Sequence, residues 1–395
     1  MPGSLIVDIL LIVILAAYFV YGYQLGLVRS IGGIAGVVIG GFLAVLLIPV
    51  VNNIVPDPIL RTLASIVLVV AVVVGGHSAG SAIGGAIQRR MKNRGARSID
   101  RVLGSVITTI VAALVASMLS TSIAALGVPQ LSQAIGSSAV LQGINNITPV
   151  PVQAFLAQVR SATVDGSLPR IAQALGTNTG SQQIPSVNTQ TPALQNAAKS
   201  VVRITGNAYA CGQSQSGSGF VVTNERVITN AHVVAGVTHP VVDVRGGGAL
   251  QSTVVYFDPE GDLAVLEVPG LNVRPLAATS TLARGTKAVS DGYPFGGPFV
   301  SLPVGISDVG TTNVQDIYGT SSNPREIYSL AADVQEGDSG GPLLNTSGRV
   351  AGVIFAKGKD TAHVGYAITM KSVGPLITRA HLLNRAVSSG RCMRG

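Results

Sequence analysis

The sequence predicts a multi-domain chain, a four-helix transmembrane domain followed by an all-β unit, barrel or sandwich, long enough for two packed six-stranded barrels. Three observations predict it. The 395 residues are 47% hydrophobic with a mean hydropathy of +0.49, more apolar than an ordinary soluble protein. The apolar residues concentrate in four N-terminal runs, each long enough to cross a hydrocarbon core roughly 30 Å thick. After Ala197 the texture changes to short β-branched runs broken by Gly, Asn and Asp, the pattern of many short strands. The chain then divides into a transmembrane domain over 1–130, a flexible linker with short helical pieces over 131–196, and the β unit over 197–395.

The apolar runs are Leu5 to Tyr21, Ile31 to Val51, Leu63 to Ile87 and Val102 to Leu126, which predict helices at about 4–22, 31–51, 60–87 and 102–127. No Lys or Arg precedes the first run and further spans follow it, so it reads as a retained span rather than a cleaved signal peptide. Orientation follows from the loop holding Arg89, Arg90, Lys92, Arg94, Arg97 and Arg101, because positive loops stay in the cytoplasm. Arg29 agrees, and both termini are then expected outside, with the C-terminal unit in the periplasm or its equivalent. Gly32, Gly36 and Gly40, and again Gly76, Gly80 and Gly84, repeat at the four-residue spacing that lets helix backbones approach closely. His77 lies within the third span and reads either as a functional group or as a neutral ring held by a neighbouring helix.

The formal charge of +8 does not mark a nucleic-acid partner. Residues 1–145 contribute +5 of it, most of that from the one basic loop, and residues 191–395 only +2. The linker is rich in Gln, Ser, Thr, Asn and Pro, with apolar pieces near Val152 to Val159 and Leu168 to Leu175. Its segment from Gly176 to Pro192 is almost wholly polar or turn-forming, a natural site of nicking and of self-cleavage.

Strands are expected at Val201 to Ile204, Gly219 to Val222, Arg226 to Ile228, Val241 to Val244, Ser252 to Phe257, Leu263 to Val268 and Arg349 to Phe355. Three places among them carry chemistry. Gly337-Asp338-Ser339-Gly340-Gly341-Pro342 offers a hydroxyl nucleophile on a tight turn, with the N–H groups of Gly337 and Ser339 as donors to a developing oxyanion. Ile228-Thr229-Asn230-Ala231-His232-Val233-Val234 places His232 where a strand runs into a small-residue turn, suited to a general base. Asp262 opens the apolar strand Leu263-Ala264-Val265-Leu266, where a buried carboxylate can orient an imidazole; Asp258 is the alternative acid, or a surface turn.

These residues resemble the trypsin-like serine proteases in their chain order His, Asp, Ser. The resemblance covers roughly residues 197–385 and implies a chymotrypsin-like fold of two packed barrels, with catalysis by His232, Asp262 and Ser339 through an acyl-enzyme. The motifs are similar in style to the bacterial high-temperature-requirement proteases, except that no PDZ-like region follows and Asp338 stands where Asn is common in that group. Four spans with a terminal protease resemble the actinobacterial membrane-anchored acid-resistance proteases of the MarP type. The spans themselves resemble the colicin V production family. The resemblance implies an extracytoplasmic hydrolase of acid or oxidative stress that processes cell-envelope proteins. The other class to weigh is a silent protease-like binding or sensor module coupled to a membrane transporter.

Several positions keep more than one reading. Asp338 either pairs with an internal Arg or faces solvent. Asp333, six residues before Ser339, is either the base of a pocket for Arg or Lys or a solvent-facing or hydrogen-bonded acid at a strand end, with Phe355, Ala356 and Val364 to Tyr366 as further walls and edges. Cys211 and Cys392 bracket the C-terminal unit and form one disulfide in an oxidising compartment, or remain two free thiols. No His, Cys or carboxylate cluster has metal-ligand spacing, and no cofactor is expected.

Overall fold

A computed structural model describes the chain apart from residues 1–2, 55–57, 92, 125–128, 162–169, 172–182, 209–212, 247, 359–361 and 394–395. It divides into one compact unit over Asp8–Ser117 and a second formed by Met1–Val7 with Met118–Gly395.

Four helices, α1 (Gly3–Leu25), α2 (Leu27–Ile54), α3 (Pro58–Arg89) and α4 (Arg94–Ala124), are all long and apolar enough to cross a membrane. Each begins or ends beyond its apolar run, and α4 starts eight residues before the expected 102. Arg97 and Arg101, expected in a loop, are helical, because charged residues at the end of a span continue the helix into the polar interface. The glycine repeats face each other. A Cβ on Gly36 would meet the carbonyl of Gly76, one on Gly80 that of Gly32, and one on Gly40 that of Val72 at 2.6 Å, so α2 and α3 pack backbone to backbone. His77 lays its ring against Gly33 of α2. A feature absent from the sequence reading is the turn at Gly26, whose φ of 79° only glycine adopts readily. The buried Asp100 accepts there from the Val28 N–H at the start of α2 (3.1 Å) and from Gln88 Nε2 (2.6 Å), and Gln88 also donates to the Leu25 carbonyl that ends α1 (2.8 Å).

The residues expected to form a linker with short helical pieces contain such helices, and several of their apolar side chains pack on the β unit. Helices α5 (Pro129–Gly136), α6 (Ala139–Ile147) and α7 (Val150–Ser161) are followed by a two-residue strand β1 (Arg170–Ile171) and by α8 (Pro192–Ala198). Leu194, Ala197 and Ala157 are apolar and buried, which is why these pieces hold to the β unit; Ala157 sits on Gly297, and Gly136 on Ala249. Thr191 caps α8, with proline at its first turn.

The strands of the first sheet are β2 (Val201–Ala208), β3 (Gln213–Thr223), β4 (Arg226–Thr229), β5 (Val241–Val244), β6 (Gly248–Gln251), β7 (Thr253–Asp258) and β8 (Leu263–Glu267), with the single turn α9 (Ala231–Val234) after β4. Their order in the sheet is β6-β5-β2-β3-β4-β8-β7. No pairing closes it among the described residues, so the first of the two expected barrels is an open half-barrel. The second comprises β9 (Lys287–Gly292), β10 (Val300–Gln315), β11 (Ser322–Ala331), β12 (Pro342–Asn345), β13 (Val350–Gly358) and β14 (Val364–Thr369). It closes through the β13–β14 pairing, with β1 parallel on the edge of β13 and α10 (Met370–Arg379) after β14.

The continuous apolar runs of β3, β8, β12 and β13 are explained by burial on both faces. Val221, Ala264 and Leu266 fill the first sheet, and Leu343 and Ile354 fill the second. Their neighbours Phe220, Leu263, Val265, Leu344, Val353 and Phe355 turn the other way into a shared core between the two. The chain end returns to the first sheet, where Gly236 N–H donates to Ser389 O (3.0 Å) and Val387 N–H to Val254 O (2.9 Å).

Candidate active site

The His232 turn and the Ser339 turn meet at the seam between the sheets. Ser218 on β3 joins them. Its N–H donates to the Ser339 carbonyl (2.8 Å), its Oγ donates to the Gly337 carbonyl (2.6 Å) and accepts from Tyr293 N–H (2.9 Å), and its own carbonyl accepts from Thr229 Oγ1 (2.7 Å). A Cβ on Gly340 would collide with Ser218 O and Thr229 Oγ1, so only glycine lets the two turns come this close.

His232 is buried, and its Nδ1 lies 2.8 Å from Asp262 Oδ2. Asp262 Oδ1 accepts the His232 backbone N–H as well (3.0 Å), so one carboxylate fixes both the ring and the turn that carries it. Asp262 holds a left-handed φ of 50°, costly for a residue with a side chain, and Asn230 Nδ2 secures it by donating to the Asp262 carbonyl (2.7 Å). Asp258 is placed otherwise. Its Oδ1 accepts from the N–H groups of Glu260 (3.1 Å) and Gly261 (2.9 Å), closing the surface turn that leads into β8.

Ser339 Oγ is 3.5 Å from the Phe355 carbonyl, at the limit of a hydrogen bond, and the buried His232 Nε2 has no hydrogen-bond partner. The structure thus joins Asp262 to His232 and leaves the bond from His232 to Ser339 unmade. The Gly337 turn is fixed more tightly. Gly337 has φ 94°, and a Cβ there would strike the Tyr293 carbonyl. The Glu336 carbonyl accepts from Phe295 N–H, and because N–H and C=O point oppositely across a trans peptide, the Gly337 N–H is turned away from Phe295. Neither the Gly337 nor the Ser339 N–H donates to another group among the described residues.

Asp338 meets neither expectation. It is 1% exposed and has no arginine partner; it accepts from Gln335 N–H (2.9 Å) and lies against Gly292. Burial pushes its carboxyl up to about 7, against the downward pull of the Gln335 bond and the Lys357 charge. Asp291, two residues from Tyr293 and bonded by Ser301 Oγ, is likewise pushed by burial to about 7. Asp333 is not a buried pocket base: its side chain is 48% exposed and pairs with His363, the setting of a hydrogen-bonded acid beyond a strand end. Phe355 and Ala356 are buried on β13 beside Ser339, and Tyr366 is buried on β14. Cys211 lies outside the described residues; Cys392 sits against Gly236, two residues past α9. No group of three or more His, Cys, Asp or Glu among the described residues is placed to hold a metal.

Sequence reasoning missed Ser218 and Asn230. In the sequence Asn230 has no signal beyond its place in the His232 motif, and the signal for Ser218 is the Gly217-Ser218-Gly219 string, whose small residues leave room for the Ser339 turn.

An open half-barrel packed on a closed six-stranded barrel, with a His–Asp couple beside a Gly-Asp-Ser-Gly turn at the seam, defines a serine protease of the chymotrypsin type. Residues 217–353 match the trypsin-like peptidase domain family, and residues 7–149 match the colicin V production protein family. Serine protease Rv3671c of Mycobacterium tuberculosis is 32% identical over 402 residues, covering 100% of both chains. The chain belongs to this family of serine proteases. The crystal structure of the active form of the Rv3671c protease matches with a TM-score of 0.51 and 34% identity, over 56% of this chain and 100% of that one. The putative serine protease HhoA of Synechocystis is 37% identical over 158 residues, 38% of this chain and 39% of its own.

Proposed function

We propose that this serine protease is an endopeptidase held at the outer face of the plasma membrane, where it cleaves cell-envelope proteins under acid or oxidative stress. The observation that carries the chemistry is the buried His232–Asp262 couple with its unpartnered Nε2 beside the Ser339 turn. In this reading Ser339 Oγ leaves the weak contact with Phe355, gives its proton to His232 Nε2 and attacks the scissile carbonyl. Asp262 accepts the Nδ1–H, fixing the tautomer and stabilising the imidazolium, and the Gly337 and Ser339 N–H groups receive the oxyanion. His232 then protonates the leaving amine, and water releases the acyl group by the same steps reversed.

The orientation rests on the basic cluster from Arg89 to Arg101. An acidic setting is supported by Asp338 and Asp291, both neutral below about 7. Self-cleavage in the linker rests on the polar, turn-forming composition from Gly176 to Pro192, of which residues 176–182 lie outside the described residues. A Cys211–Cys392 disulfide would tie the tail to the first sheet beside the His232 turn, and reduction would then lower activity. Comparative proteomics of envelope fragments, wild type against Ser339→Ala with and without acid, tests the whole reading: stress-dependent fragments confined to wild type are expected, and identical fragment sets would reject it.

A further inference from the structure

Beyond the four spans, large apolar side chains are exposed mainly in one place. Ile147, Val150, Phe155 and Val159 are exposed within 13 residues, whereas from there to the chain end only Leu382 and Val387 are, among the described residues. Ile147, at the end of α6, is 82% exposed, and Phe155, in the middle of α7, is 62% exposed. At about 100° per residue, Val152, Phe155 and Val159 fall within about 60° of one another, and Phe155 and Val159 lie about 160° from Ala157. Ala157 is the buried residue that sits on Gly297, so α7 turns one edge to the β unit and an apolar face away from it. The corner before α7 is fixed by Gln153 Nε2, which donates to the carbonyls of Asn145 (2.6 Å) and Thr148 (2.8 Å), while Leu141 and Ile144 of α6 are buried.

Three observations indicate what covers that face. The first is the place of α5 between two span ends. Only residues 125–128 separate Ala124, the end of α4, from Pro129, the start of α5. That is a reach of at most about 17 Å. Ala134 of α5 also lies 3.0 Å from a Cβ built on Gly3, two residues before the apolar run of α1 begins at Leu5, and Gly3 and α5 belong to one compact unit. Helix α5 therefore stands at the level where the spans leave the hydrocarbon, and α6 and α7 follow it after short turns. The second is charge: residues 101–164 contain no Asp or Glu, so no side chain of α5, α6 or α7 is repelled by an anionic headgroup. The third is size. Four side chains expose roughly a few hundred Å² at most, well short of the ~800 Å² per partner of a standard protein interface, whereas a bilayer accepts a single helix face.

We propose that α7 is an interfacial helix, its Val152, Phe155 and Val159 face seated in the headgroup region of the bilayer that the spans cross, so that the protease unit rests on the lipid surface and does not swing on a tether. The proposal rests on the reading of α1 to α4 as spans, and it is independent of the chemistry at Ser339 and of which side of the membrane the protease occupies. Ala157 keys the helix to Gly297, beside the turn over Pro294–Gly296 that adjoins Gly337, so the lipid contact is made on the side of α7 away from that turn. Seated this way, the unit meets its substrates within reach of the bilayer surface.

The chain has no tryptophan, so one introduced indole reports one place. The test is tryptophan fluorescence of the full chain reconstituted in phosphatidylcholine–phosphatidylglycerol vesicles, with nitroxide-labelled phosphatidylcholine carrying its label either just below the headgroup or near the acyl end. An interfacial helix lies roughly 5–10 Å into the headgroup–acyl boundary, so Phe155→Trp is expected to lose about half or more of its emission to the shallow label and less to the deep one. Leu382→Trp, at a site 66% exposed in the protease unit, is expected to keep its emission with both. Emission of Phe155→Trp that ignores the shallow label, or is quenched no more than that of Leu382→Trp, would overturn the proposal. A blue-shifted emission that grows with protein density and ignores the label would overturn it as well, being the signature of a second copy on this face. Should Phe155→Trp not fold, Val159→Trp serves under the same criteria. Val38→Trp, at a site 66% exposed on α2, is the control for the spans: failure of the deep label to quench it would reject the spanning reading itself, an outcome distinct from the others.

Discussion

Replacing the two buried carboxylates near the Ser339 turn, Asp291 and Asp338, with asparagine should abolish a pronounced acid preference in the stability of the protease unit. In the folded state both sit at about 7 instead of 3.8, chiefly because burial penalises the charged form. Below pH 3.8 folded and unfolded chains both hold the protons, and nothing is lost. Between 3.8 and 7 the unfolded chain releases them and the folded one does not, so stability falls by about 1.4 kcal/mol per unit and per group; above 7 the loss is complete at about 4 kcal/mol each. From pH 5 to pH 8 about two of those units are crossed, or about 5 kcal/mol for the pair. For a unit of about 200 residues that lowers Tm by roughly 10 °C or more. The assay is differential scanning calorimetry in a Ser339→Ala background, which prevents self-digestion. Wild type should melt higher at pH 5 than at pH 8, and the Asp291→Asn/Asp338→Asn variant should show most of that difference gone. Equal slopes in the two proteins would refute the reasoning, because the carboxylates would then not carry the burial penalty.

Three further outcomes follow from the geometry. Asp262→Asn should lower kcat for casein hydrolysis by about four orders of magnitude by favouring the wrong His232 tautomer, whereas Asp258→Asn, which alters only a surface turn, should stay within a few-fold of wild type. Ser218→Ala removes the hydroxyl that bridges Gly337 O and Tyr293 N, and steady-state kinetics should show kcat reduced about 10- to 100-fold with KM little changed. Gly36→Leu forces a side chain into the Gly76 carbonyl and should destabilise the helical unit by about 1–3 kcal/mol, seen as a lower unfolding temperature in detergent, with Gly41→Leu, where a Cβ meets open space, as the silent control.

The parts of this molecule legible in the sequence are those where one physical pressure acts alone. Four spans follow from the length of the apolar runs, and the α2–α3 contact follows from glycine spacing, because only glycine permits backbones to touch. Strands β2, β4, β5, β7 and β8 were marked by β-branched runs between turn residues. By contrast β10 was hidden, since its 16 residues include Pro303, Gly305, Gly310 and several polar side chains that blur any alternation. The motifs placed His232, Asp262 and Ser339 in the sequence, and the fold brings the first two into contact. Asp262 is preferred to Asp258 in the sequence because it abuts the Leu263-Ala264-Val265-Leu266 run, and the structure places Asp262 on the ring and Asp258 in a turn of its own. Asp338 and Asp100 were illegible for a common reason: each is a charged residue whose meaning depends on long-range burial. Asp333 kept two readings in the sequence because its spacing from Ser339 fits a pocket base, and the structure shows the hydrogen-bonded acid, paired with His363 from beyond β13. In the linker the apolar piece near Val152 to Val159 marked α7, whereas the packing of Ala157 and Leu194 against the β unit is hidden by the polar composition around them.

The central claim is that Ser339 is the nucleophile activated by His232. It is tested most directly by treating the full chain with a fluorophosphonate probe and locating the adduct by peptide mass spectrometry. One adduct on Ser339 is expected in wild type, with none in Ser339→Ala and a loss of at least about a thousandfold in labelling rate in His232→Ala. An adduct on a different serine, or undiminished labelling in His232→Ala, would contradict the account.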